Sequence, residues 1–150
     1  MSMDSSRTVV DFEVRLVHPK AKLPVKAKIT DAGYDIYSVE DACIEPLTYK
    51  EIDTGIQLAC PIGWYYTIDG RSSMHRAGIV ASRGIIDATY NGTIFVQLYN
   101  KNSRPYMVSA GDRIAQFTVH KVNDAYFRVV DDFSDEYNMR GTAGFGSSGR

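Results

Sequence analysis

Apolar residues in this chain recur at every second position, in runs that are short and sharply bounded. Phe12, Val14 and Leu16 alternate with Glu13 and Arg15. That spacing puts one set of side chains on each face of an extended segment. Further runs of this kind cover 35–38, 49–53, 56–59, 64–68, 93–99, 113–120 and 126–130. Between them stand Pro61-Ile62-Gly63, Asp69-Gly70, Asn91-Gly92 and Gly111-Asp112, turn sequences whose Gly, Asn and Asp tolerate positive φ. Many short strands at this spacing predict an all-β sandwich or barrel. The one break is Ser72 to Gly78, which reads as a helix of one or two turns. A Ser would cap its start, and Gly78 stands where the chain must leave the helix.

A length of 150 residues predicts one domain spanning 1–150, large enough for a core without disulfides or a structural metal. Residues 1–8 are expected to be a flexible N-terminus and 138–150 a mobile tail. No apolar run is long enough to cross a membrane as a helix, and Met1 to Arg7 lacks the apolar stretch of a signal peptide. An intracellular protein, cytoplasmic or nuclear, is expected. Seventeen basic residues oppose eighteen acidic ones, a balance that disfavours a nonspecific nucleic-acid binder. Cys43 and Cys60 have no zinc-type spacing and read as free thiols. His18, His75 and His120 are scattered and make no metal motif.

Several local features suit a phosphate. Arg71-Ser72-Ser73 combines a guanidinium, hydroxyls and backbone N–H groups at a helix start, although such a triplet is also an ordinary surface cap. Residues 140–150 read RGTAGFGSSGR, with four of the chain's 12 glycines. They cannot bury enough to hold themselves down. Arg140 and Phe145, however, are what a tail needs to clamp an anion bearing a planar ring. Gln116 is a polar residue in an otherwise apolar strand, and Asp35 is a carboxylate able to order the water shell of a metal. Residues 84–96 read as two strands about an Asn-Gly turn. Asp87 directly follows Ile85-Ile86, so it reads either as a carboxylate in a partly apolar cleft, a general base for water, or as an edge aspartate bonded to turn amides.

Five segments then occur in a telling order: AGYDIYS from Ala32, GRSSM from Gly70, GIIDATYNG from Gly84, GDRIAQF from Gly111 and RGTAGFGSSG from Arg140. Together they resemble the homotrimeric dUTPase family. The resemblance implies a β-clip, jelly-roll-like trimer with active sites at subunit interfaces, acting on dUTP with Mg²⁺. Asp87 would orient the water that attacks the α-phosphorus, giving dUMP and pyrophosphate, which keeps uracil out of DNA and supplies dUMP for dTMP synthesis. Gly84, Ile86 and Phe95 would read the uracil edge, and Tyr90 would pack on the sugar. Arg71, Ser72, Ser73 and Gln116 would hold the phosphates, and Asp35 would touch Mg²⁺ through water. Arg140, Gly146, Ser147 and Ser148 would close over the γ-phosphate while Phe145 stacks on uracil.

The chain departs from the family pattern at Ser73, where Gly is usual, at Arg83, where a small residue is usual, and at Ala88-Thr89, where acidic residues are frequent. Two other readings compete. A dCTP deaminase of the same fold needs a Glu in the strand after the hairpin, but that position is Gln97, and a neutral amide is no general base. A non-catalytic interaction module is the other alternative; both Asp87 and the terminal motif are retained.

Overall fold

The computed structural model describes residues 7–137. Ten strands and one short helix follow in chain order: β1 (Glu13–Leu16), β2 (Tyr34–Tyr37), β3 (Ala42–Ile44), β4 (Tyr49–Ala59), β5 (Trp64–Asp69), α1 (Ser72–Arg76), β6 (Ile79–Ala81), β7 (Gly84–Ile86), β8 (Thr93–Asn100), β9 (Tyr106–Val108) and β10 (Arg113–Lys121). They form two four-stranded sheets, β1-β4-β8-β6 and β2-β10-β5-β7, with β3 and β9 paired separately. Every ladder is antiparallel. The all-β expectation holds.

One core joins the three sheets. Ile52, Ile56, Leu58, Val96 and Leu98 come from the first, Ile36, Tyr66, Ile68 and Phe117 from the second, and Ile44 and Val108 from the third pair. Phe12 meets the edges of Tyr66 and Phe117 at ring separations of 5.7 and 5.8 Å, a favoured aromatic geometry. Asn100 is the polar residue buried deepest. It donates to the carbonyls of Ile44 and Arg104 at 2.9 and 2.8 Å and accepts from the Asn102 N–H at 2.9 Å. A buried amide is tolerated when its groups are met in this way.

Four local expectations need correction. The runs 49–53 and 56–59 are a single strand, β4, kinked by a register shift between Asp53 and Gln57. There Gly55 takes φ 68° and donates its N–H to Asp53 Oδ1 at 2.7 Å. The residue entering α1 is Arg71, in extended conformation and without a side-chain cap bond, not a Ser; Gly78, at φ 80°, does end the helix turn as expected. Asn91-Gly92 does not exploit positive φ. Gly92 is instead a close-approach position, since a Cβ there would stand 2.6 Å from the Tyr90 hydroxyl. Finally, 126–130 is not a strand. Tyr126, Phe127 and Val129 lie 89%, 89% and 97% exposed, because no sheet edge among the described residues receives them.

Candidate active site

The elements that carry the anion-binding candidates converge because β10 lies between β2 and β5. Gln116 is in register with Asp35 on one side and Asp69 on the other. Its Nε2 donates to the Gly70 carbonyl at 3.1 Å, tying the strand to the segment that enters α1. Arg71 Nε stands 3.3 Å from Asp35 Oδ1, and Arg113 Nε stands 3.7 Å from Asp35 Oδ2. Arg71 Nη1 also donates to Ser73 Oγ at 3.3 Å and to the Arg113 carbonyl at 3.5 Å. Two guanidiniums face the single Asp35 carboxylate, and a second carboxylate, Asp112, stands in the adjoining lining and balances the remaining charge. The adjoining cleft of about 480 Å³ is lined by Arg71, Ser73, Met74, Tyr106, Gly111, Asp112 and Arg113. The fork-shaped guanidinium donors are of the kind that planar or tetrahedral anions accept. Ser72 is exposed beside the cleft in the first turn of α1.

Arg113 was not foreseen. Its distance of three residues from Gln116 puts the two on opposite faces of a regular strand. The ladder slips between Arg113 and Ala115, however, and Ile114 and Ala115 are both fully buried. That irregularity turns Arg113 to the side of Asp35. Polar residues either side of two consecutive core positions were the only trace of it in the sequence.

The second group of residues forms a separate cleft of about 390 Å³. Gly84, Ile86, Tyr90 and Phe95 all line it, with Ser82, Arg83, Gln97, Glu51, Ile68, Thr93 and Ile94. The segment 84–96 is not a ladder hairpin. β7 pairs with β5, while β8 pairs with β4 and β6. The reason is local: the Tyr90 N–H donates to the Asp87 carbonyl at 3.1 Å, so residues 87–90 curl before the Asn-Gly pair is reached. The Tyr90 hydroxyl then donates to the Thr93 carbonyl at 3.0 Å.

This divergence leaves the backbone of Phe95 open. The Gln97 carbonyl accepts from the Ser82 N–H at 2.9 Å, and the Asp53 carbonyl turns to the Val39 N–H. Phe95, opposite Asp53 and two residues before Gln97, therefore directs its own N–H and C=O away from β4. β6 has ended at Ala81 and β7 belongs to the other sheet, so these groups face the cleft.

Asp87 is exposed at the start of the turn, and its carboxylate accepts no hydrogen bond among the described residues. It occupies neither the partly apolar cleft nor the amide-bonded edge position that the sequence suggested. Asp69 and Arg83 form an ion pair, Nε to Oδ1 at 3.1 Å, that bridges the sheet toward the second cleft. Arg140, Phe145, Gly146, Ser147 and Ser148 lie outside the described residues.

A family model for dUTPase matches residues 19–149. The chain is an enzyme of the dUTPase family. The deoxyuridine 5'-triphosphate nucleotidohydrolase of Saccharomyces cerevisiae is 37% identical over 140 residues, covering 92% of this chain and 94% of the yeast one. Among solved structures, Staphylococcus bacteriophage 80alpha dUTPase bound to dUPNHPP superposes with a TM-score of 0.81 at 27% identity, over 93% of this chain and 99% of that one. A variant of the phage phi11 dUTPase, described with a structural Mg(II) ion, matches with a TM-score of 0.75 at 25% identity, over 82% and 98%. The dUTPase resemblance drawn from five short segments thus extends over nearly the whole chain.

Proposed function

We propose that this chain hydrolyses dUTP to dUMP and pyrophosphate. The observation that carries the reading is the pairing of two unlike clefts on one chain. One is an arginine-lined cleft built from Arg71, Arg113 and Ser73; the other is a largely apolar cleft into which the Phe95 backbone opens. A triphosphate fits the first and a planar base with alternating donors and acceptors fits the second. Phe95 would offer its N–H and C=O to the uracil edge, with Ile86 against the ring and Gly84 permitting its close approach. Tyr90, at the mouth of the cleft, would pack on the deoxyribose. Arg71, Ser72, Ser73 and Gln116 would fix the phosphates. Asp87, exposed and unencumbered, would take the proton of the water that attacks the α-phosphorus. Positioning and charge neutralisation are the main demands of such a transfer.

The family implies Mg²⁺. Among the described residues no three of His, Cys, Asp and Glu gather as a metal cage, and both Asp35 oxygens already face guanidiniums. That donor set fits an ion that arrives on the triphosphate and keeps its waters, with Asp35 accepting a hydrogen bond from one of them. Bound there, Mg²⁺ would supply charge neutralisation to the phosphates.

The reading includes a homotrimer. The two clefts share no lining residue, and Tyr126, Phe127, Val129 and Tyr137 expose apolar surface that no strand among the described residues covers. Residues from different subunits would complete each site, and the 140–150 tail would close it. The test is pyrophosphate release from dUTP, dCTP, dTTP and UTP. A strong preference for dUTP is expected. Ammonia from dCTP would favour a deaminase, and silence on all four a binding module.

A further inference from the structure

The base cleft also holds a polar side-chain pair that the backbone readout does not use. Ser82 Oγ donates to Gln97 Oε1 at 2.9 Å, while the Ser82 N–H holds the Gln97 carbonyl at 2.9 Å. The carboxamide is thereby oriented at both ends of its residue. Its oxygen is engaged, and its Nε2 meets no acceptor among the described residues. Glu51, the cross-strand neighbour of Gln97, lines the same cleft, but no hydrogen bond joins the two. What Gln97 presents to the cleft is a donor.

Its place along β8 tells which atom it meets. Thr93, Phe95 and Gln97 follow at alternate positions on one face of the strand, with side chains on the cleft side. Tyr90 is anchored to the Thr93 end. If Tyr90 packs on the sugar and Phe95 reads the middle of the base edge, Gln97 lies at the end remote from the sugar. In a pyrimidine that end is ring position 4, where uracil carries an acceptor oxygen and cytosine a donor amino group.

We propose that Gln97, held by Ser82, is a specificity residue that donates to the uracil 4-oxygen and rejects the cytosine 4-amino group. This rests on the base-cleft reading above. It assigns a side chain to a discrimination otherwise left to the backbone.

The test compares kcat and KM for dUTP, dCTP and 4-thio-dUTP in the full chain and in Gln97→Leu, Ser82→Ala and Gly84→Ala. The thio compound keeps the ring N–H and replaces the acceptor oxygen with a larger sulfur that accepts hydrogen bonds more weakly. Gln97 is exposed, so Gln97→Leu should fold normally. One hydrogen bond of ordinary net strength predicts that the wild type loses about five- to tenfold in KM on 4-thio-dUTP, with kcat kept. Gln97→Leu should raise KM for dUTP by about the same factor, become indifferent to the sulfur, and narrow the preference for dUTP over dCTP. Ser82→Ala should lose part of the discrimination. Gly84→Ala introduces a methyl 3.3 Å from Ile86 Cδ1 and should raise KM for all three nucleotides. If Gln97→Leu retains wild-type KM and sulfur discrimination while Gly84→Ala raises KM, the cleft holds the base but Gln97 does not read it. If Gly84→Ala also leaves KM unchanged, the base-cleft reading itself fails, and the proposal with it.

Discussion

Arg71→Ala separates the binding role of the arginine-lined cleft from any structural one. Arg71 makes three contacts: 3.3 Å to Asp35, 3.3 Å to Ser73 Oγ and 3.5 Å to the Arg113 carbonyl. Its side chain is 27% exposed and that of Asp35 19%. After the substitution Asp35 still has Arg113 at 3.7 Å and partial access to water, so no buried charge is stranded. The cost to folding should be about 1 kcal/mol or less. The cost to the reaction is larger. A hydrogen bond to a charged partner contributes about 1.5–3 kcal/mol, which is roughly 10- to 150-fold in kcat/KM. The freed Asp35 charge acts in the same direction, by repelling the triphosphate. Arg71→Lys should restore the unfolding midpoint but only part of kcat/KM, because a point charge cannot reproduce the fork between Asp35 and Ser73. Pyrophosphate release measured beside urea unfolding reads both quantities. A kcat/KM within threefold of wild type, or a loss that merely tracks unfolding, would refute the assignment.

Asp87→Asn should leave the unfolding midpoint unchanged, since the carboxylate makes no hydrogen bond among the described residues, while kcat falls by about 10²- to 10⁴-fold with KM little altered. Co-refolding that variant with Arg71→Ala should recover part of the activity if one chain supplies the base and another the phosphate grip; a mixture as inactive as its parents would put both clefts of a site on one chain. Removal of 140–150 should preserve assembly and thermal midpoint but collapse kcat, and a truncated chain with full turnover would exclude a closing role for the tail. Tyr66 is fully buried, its hydroxyl has no partner among the described residues, and burial raises its phenol pKa above the ordinary value of 10. The unfolded state therefore ionises first, so this tyrosine costs stability as pH rises above about 10. Tyr66→Phe should flatten that alkaline loss in urea titrations and leave neutral stability equal or higher by about 1 kcal/mol; an unchanged alkaline slope would contradict it.

The strands legible in the sequence were those long enough to alternate. β8 is the clearest, with Ile94, Val96, Leu98 and Asn100 buried. β3, β6 and β9 have three residues each, too few for a period to register. The run at 126–130 alternates weakly and has strand-forming residues, yet a strand exists only where an edge accepts it. Nothing local encodes that edge. Arg113 was hidden for a related reason: alternation predicts facing only while the ladder keeps step, and the slip before Ala115 breaks it.

The misread hairpin shows why topology, rather than motif, creates the base cleft. Had β7 and β8 closed a ladder about Asn91-Gly92, the N–H and C=O of Phe95 would have been consumed by the partner strand. The cleft between Gly84 and Phe95 would then be a sheet interior with nothing to offer a ligand. The bond from Tyr90 to Asp87 prevents this by curling the chain early, and β5 takes β7 away into the other sheet. The curl also leaves Asp87 exposed to solvent and brings Tyr90 into the lining of the cleft. A single local hydrogen bond inside the GIIDATYNG segment thus accounts for three features at once: an unpaired backbone edge, an exposed carboxylate and an aromatic ring in the cleft lining. The second glycine of that segment follows from the same geometry, because Gly92 must pass within 2.6 Å, measured from a would-be Cβ, of the Tyr90 hydroxyl.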